Sequence, residues 1–194
     1  MDDKHLHKYT VESLFKRQEY VLARPREIIK LKMFVPGDIA SKGSLVNRVF
    51  PKVTEDGKYT IQVASFPQNA KALRKYTKAI RDIAEQELTN VNDEMYKLIQ
   101  SLAWKVHLTF YFNRPKSHLR DKFHDYSSVR PKCIYLKHAV KPDIDKITRA
   151  VLDALTGVLW ENDSRVYAIF AEKRYANSYD EQGTRIIAVG VRND

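Results

Sequence analysis

The chain holds one cysteine, Cys133, among 194 residues. A lone thiol makes no intrachain disulfide and excludes zinc sites built from clustered cysteines. A reducing interior, the cytoplasm, is the expected compartment. Long apolar runs are missing too: no stretch approaches the ~18 consecutive apolar residues expected of a membrane-spanning helix. The opening "MDDKHLHKYTVE" lacks the apolar centre of a signal peptide. Repeats and low-complexity tracts are absent, and the length suits one domain. Acidic residues are outnumbered, 24 against 34 Lys and Arg, for a net charge of +10. That excess favours polyanionic partners, nucleic acid first. Apolar residues at 43% and charged residues at 30% describe a globular chain with a core.

Hydrophobic spacing divides the chain into elements. Residues 1–26 form a polar N-terminal extension, with Val11, Leu14, Phe15 and Tyr20 at helical spacing. Residues 27–35 and 58–63 read as strands, separated by the glycine-containing loop "PGDIASKGS". In that loop Lys42 and Ser44 flank Gly43. They suit either a phosphate contact or an ordinary loop. The longest helical pattern covers 67–89. Lys71, Arg74, Lys75, Lys78 and Arg81 lie off its apolar face, as a solvated surface or as a track for a phosphate backbone. "AWKVHLTFYF" (103–112) alternates as a strand with one apolar face. Residues 113–141 form a basic loop region in which His118, His124 and His138 read as polar loop residues rather than metal ligands. Strands over 166–175 and 184–191 then read as a hairpin. The order predicts an α+β fold, a mixed sheet packed with two main helices, over residues 27–194.

Against this basic background, "KPDIDKITRAVLDALTGVLWEND" (141–163) concentrates acid. Pro142 disfavours helix at Lys141. Asp145 is then expected to cap a helix over 146–156, ended by Gly157. Ile147, Ala150, Val151, Ala154 and Leu155 give it a buried stripe. Asp145, Arg149 and Asp153, four apart, climb the opposite face. An eleven-residue helix is about 16 Å long, and six extended steps from Gly157 to Asp163 cover about 20 Å. The chain is therefore long enough to bring Asp163 back to Asp143 and Asp145. Clustered carboxylates need a cation, and hard oxygen donors suit Mg²⁺. A basic surface with an acidic metal site fits phosphodiester chemistry, with Arg149 placed to stabilise charge on the phosphate. The competing reading makes Asp143 a turn residue, Asp145 a cap, and Asp153 and Asp163 solvated.

"KPDIDKITRAVLDALTG" followed by "WEND" resembles the RusA-type Holliday junction resolvases of phages and prophage-bearing bacteria. "VPGDIASKGS", "RPKSH" (114–118) and "EKRYA" (172–176) extend the resemblance over about residues 31–191. It implies a Mg²⁺-dependent endonuclease, with Mn²⁺ as a substitute, that cuts four-way DNA junctions symmetrically as a homodimer. It implies Asp143, Asp145 and Asp163 as metal-binding carboxylates, and Arg149 in place of a catalytic lysine. Asp153 and Lys146 are adjacent to the site. The DNA-contacting cations expected beside it are Lys42, Arg114, Lys116, Lys141 and Lys173. This chain departs from the family pattern at Lys146, where Asn is usual, at Arg149, and at Asn162, where Asp is usual. These departures leave room for a branched-DNA-binding protein with a weak or silent nuclease, or for a nuclease preferring flaps or forks.

Overall fold

The computed structural model describes residues 27–42, 45–67, 69–120 and 126–192. The N-terminal extension, Gly43, Ser44 and His124 lie outside them. In chain order the elements are β1 (Glu27–Pro36), β2 (Leu45–Val53), β3 (Tyr59–Pro67), α1 (Ala70–Glu87), α2 (Asp93–Ser101), β4 (Ala103–Phe112), α3 (Ile144–Leu155), β5 (Val166–Tyr175) and β6 (Gly183–Val191). Short 3₁₀ turns punctuate the loops. The fold is α+β.

β4 organises the sheet. Trp104, Val106, Leu108 and Phe110 are fully buried on one face, as its alternation predicts. A strand this apolar is stable in the centre, with partners on both edges. β6 runs antiparallel on one side and β5 parallel on the other. β1 closes the order β1-β6-β4-β5 by pairing antiparallel with β6. The expected 166–175/184–191 hairpin is therefore wrong. β4 lies between those strands, and the intervening segment crosses its end instead of folding back as a tight turn. Gly183 makes the β1–β6 crossing possible. Its φ is +152°, and a Cβ there would stand 2.3 Å from the Val35 carbonyl oxygen.

α1 and α3 cover one face of the sheet. Tyr76, Ile80 and Ala84 of α1 meet Ile147, Ala150, Val151, Ala154 and Leu155 of α3 over Leu31, Met33, Val35, Trp104, Leu108 and Ile186. Each fully buried Val, Leu or Ile contributes roughly 1.5–3 kcal/mol, so Val151→Asp would detach α3 from the sheet. Tyr76 and Thr184 share a buried hydroxyl–hydroxyl bond of 2.6 Å that ties α1 to β6.

Two elements go beyond the expected set. α2 makes a third helix, capped by Asn92, whose side chain accepts from the Met95 N–H at 2.9 Å, with Asp93 and Glu94 in its first turn. β2 pairs with β3 as a separate two-stranded ribbon.

Candidate active site

α3 is the crossover between the parallel strands β4 and β5. Its start is set by Asp143, not Asp145: Asp143 has extended backbone (φ −68°, ψ 139°) and occupies the N-cap position. The helix begins two residues earlier in the acidic run than expected because the Asp143 carbonyl already accepts from the Ile147 N–H, at 3.2 Å. Asp145 lies exposed within the first turn, where the positive end of the helix dipole favours a carboxylate. The Asp143 side chain makes no cap. It pairs with Lys146, 2.8 Å away. The hydrogen bond and charge of the Lys146 ammonium, with smaller contributions from Lys141 and Lys173, hold the Asp143 carboxyl below the ordinary carboxylate range. The same pair raises Lys146.

Arg149 and Asp153 follow along the exposed side of α3. Asp153 pairs with Lys42 at 2.6 Å. The Lys42 N–H also donates to the Lys146 carbonyl at 3.4 Å, so the loop after β1 docks along α3. Sequence gives no signal for a bond between residues 111 apart. Lys173, from β5, donates to the carbonyls of Val140 and Pro142 at 2.6 and 2.9 Å, fixing the chain as it enters α3 through a cis Lys141–Pro142 peptide.

The remaining expected cations divide. Lys116 and Lys141 are exposed. Arg114 is buried, and its guanidinium donates to the carbonyls of Ala176, Cys133 and Ile134 at 3.2, 2.7 and 3.3 Å. Its charge also lies over the Tyr175 ring, 5.4 Å from the centroid. In this structure Arg114 is spent on holding the 131–134 turn to the end of β5, not on presenting charge to a ligand. His118 and His138 flank the same Tyr175 ring at 4.9 Å, and His138 stacks on Phe112 at 4.0 Å. Burial, then the neighbouring Arg114 or Lys173 charge, lowers both imidazoles. Both pack against this aromatic cluster, in closer contact than the polar loop residues expected from sequence.

Asp163 occupies the other end of α3. Gly157, with φ +80°, stops the helix, and its N–H donates to the Trp160 carbonyl at 2.7 Å in a tight turn. Tyr96 and Gln100 of α2 donate to the Gly157 carbonyl. Trp160 packs on Trp104 at the start of β4, with ring centroids 5.8 Å apart. The chain does not return along the helix. It passes through the 3₁₀ turn Asp163–Arg165, where the Asn162 side chain caps the Ser164 N–H at 3.1 Å, directly into β5, whose first residue faces Trp104. Asn162 thus fills a capping role that Asp fills equally well. A twelve-residue helix is about 18 Å long, so Asp163 and Asp143 are separated by a distance of that order. The chain is long enough for convergence, but the Trp160 anchor prevents it. Among the described residues no three His, Cys, Asp or Glu side chains form a metal-sized group.

No helix of the described residues is long and apolar enough to cross a membrane. No curated protein matches the chain. The model of the family "Endodeoxyribonuclease RusA" does match, over residues 50–186, from β2 into β6 and across the whole of α3 and its acidic ends. With well over half of its length matched, the chain belongs to the RusA endodeoxyribonuclease family.

Proposed function

We propose that the protein is a Mg²⁺-dependent endodeoxyribonuclease that resolves four-way (Holliday) junctions as a homodimer, by paired symmetric cuts. The observation that carries this reading is the amino end of α3. Two exposed carboxylates, Asp143 and Asp145, and the Arg149 guanidinium one turn on, stand on one helix in a chain of net charge +10. The donor set suits the ion. Mg²⁺ takes hard oxygen ligands, commonly one or two protein carboxylates with water and phosphate oxygens. Asp143 already attracts a cation, the Lys146 ammonium. Asp143 and Asp145 would hold the metal, and Mn²⁺ would serve in its place. Bound there, the ion supplies activation of water and neutralisation of charge on the phosphate. Arg149 is placed to bind a phosphate oxygen beside it.

The position of Asp163 supports a two-chain site. At the far end of α3 it cannot share an ion with Asp143 and Asp145 of its own chain, but a second copy can bring its Asp163 to them. A two-fold dimer holds two such sites, matching the two strands cut in a near two-fold junction. The β2–β3 ribbon supports a second copy as well. Val49, Val53, Tyr59, Ile61 and Val63 are exposed on one of its faces.

The experiment is subunit complementation on a synthetic four-way junction with Mg²⁺. Asp145→Asn and Asp163→Asn each bind the junction without cutting it. Dimers formed by refolding the two variants together carry one intact composite site and regain nicking. Silence of the mixture would disprove the shared site, and wild-type cutting by Asp145→Asn would disprove the metal site. The Asp143–Lys146 ion pair favours a second reading, a branched-DNA-binding protein whose nuclease is weak. Tight junction binding by wild type with no cutting in Mg²⁺ or Mn²⁺ would establish it.

A further inference from the structure

α1 carries five cations, Lys71, Arg74, Lys75, Lys78 and Arg81, and no acid over residues 70–81. At 100° per residue they fall within an arc of about 120°, centred opposite the buried Tyr76, Ile80 and Ala84. All five are exposed. From sequence alone such a stripe is equally a solvated face. Its neighbour in the fold separates the two readings. Arg74, Thr77, Lys78 and Arg81 lie on the side of α1 next to α3. With Asp153 and Ala154 of α3 they line a groove of about 340 Å³. The groove's one carboxylate from α3, Asp153, is already neutralised by Lys42. Lys78 is shared with Asp82, at 2.6 Å. Arg81 is held in place by donating to the Thr156 carbonyl at the end of α3, at 3.2 Å. The groove therefore keeps excess positive charge, offers guanidinium forks that suit phosphate oxygens, and has a hydroxyl on its wall. It also runs beside the side of α3 that carries Arg149 and Asp153.

We propose that the α1–α3 groove is a backbone-binding subsite for one DNA strand. Arg74, Lys78 and Arg81 contact alternate phosphates of an arm leading to the amino end of α3. The proposal rests on the nuclease reading above for its ligand, but its contacts are to phosphates and sense no base sequence. Positions along a helix one turn apart are about 5–6 Å apart, close to the rise between alternate phosphates of one strand.

The test measures junction affinity against salt in EDTA, where metal-dependent cutting does not proceed. Each phosphate contact contributes roughly 0.9 to the slope of log K against log salt. Arg74→Gln with Lys78→Gln is expected to lower that slope by about two and to weaken binding about tenfold or more near physiological salt, equally for junctions of different sequence. Lys30→Gln with Lys32→Gln, exposed cations on β1, removes the same charge elsewhere and serves as the control. An unchanged slope, or an equal loss in the β1 control, would overturn the subsite while leaving the nuclease reading intact. Conversely, a slope that drops as expected in a protein that never nicks would sink the nuclease reading and leave the subsite standing. A wild-type protein that binds no DNA would overturn both.

Discussion

Lys146 places an ammonium on Asp143, one of the two carboxylates proposed to hold the metal. Both side chains are exposed and solvent screens the pair, so its removal should shift an equilibrium by about fivefold at most. Lys146→Ala should therefore lower the half-saturating Mg²⁺ concentration by up to about fivefold, read as metal binding in the absence of DNA. The Asp143 carboxyl should also titrate higher, toward the ordinary range, as followed by carboxyl NMR. The sign follows from the pair. Asp143 is depressed in the folded chain, so its small stabilisation is present above the ordinary carboxylate pKa and is lost as pH falls through the lowered one. Removing Lys146 removes most of that dependence, leaving the smaller effects of Lys141 and Lys173. Unchanged metal affinity and an unmoved titration would show that Lys146 is a bystander. At this scale the sequence was informative about chemistry and silent about partners. Asp145 and Arg149 are legible because a four-residue spacing puts them on one helix face, and Asp143 because it stands just before them in the same acidic run. The Lys42–Asp153 bond and the burial of Arg114 were not, because each depends on segments brought together only by the sheet.

The elements show where local pattern stops being sufficient. β4 and α3 were legible from apolar period alone, since each buries a single clean face. α2 had a readable signal in Asn92-Asp93-Glu94, an N-cap followed by first-turn acids, but it is short. β2 was hidden by Pro51, which demotes a strand pattern and is tolerated here because the ribbon leaves its edge open. The supposed final hairpin failed for a topological reason. Adjacency in sequence suggested pairing, but β4 gains more by lying between β5 and β6 than either gains from the other. The long basic region 113–142 is held to this framework by Arg114, and that gives a prediction at the scale of elements. Arg114→Ala would leave the Ala176, Cys133 and Ile134 carbonyls without their donor and should cost about 3 kcal/mol in urea unfolding, with faster amide exchange over 131–142. Arg114→Lys should recover little of this, because one ammonium cannot reproduce a planar fork aimed at three acceptors. Wild-type stability in either variant would contradict the assignment.

For the whole molecule, the matter is what completes it. The ribbon pairs Val49 with Val63, Pro51 with Ile61 and Val53 with Tyr59, and alternate residues share a face. Over residues 49–53 and 59–63 that face is apolar, and Ile61 and Tyr59 are 73% and 84% exposed. A two-stranded ribbon standing alone is marginal in water. Neither strand joins the main sheet. A polyanion gains nothing from such a face, whereas the same ribbon on a second copy is its natural complement under two-fold symmetry. Two features thus point to the same proposed partner: the exposed apolar face of the ribbon, and acidic residues divided between the two ends of α3. Ile61→Glu with Val63→Glu should raise the dimer dissociation constant by on the order of 30-fold, about 2 kcal/mol, in sedimentation velocity. With the carboxylates shared between copies as proposed, metal binding and junction cutting should fall together with dimerisation and return at high protein concentration. The circular dichroism of the monomer should stay that of the folded chain, since the main sheet and its helices do not use the ribbon. A variant that stays dimeric would move the interface elsewhere. One that becomes monomeric yet binds metal as well as wild type would show that Asp143 and Asp145 suffice alone.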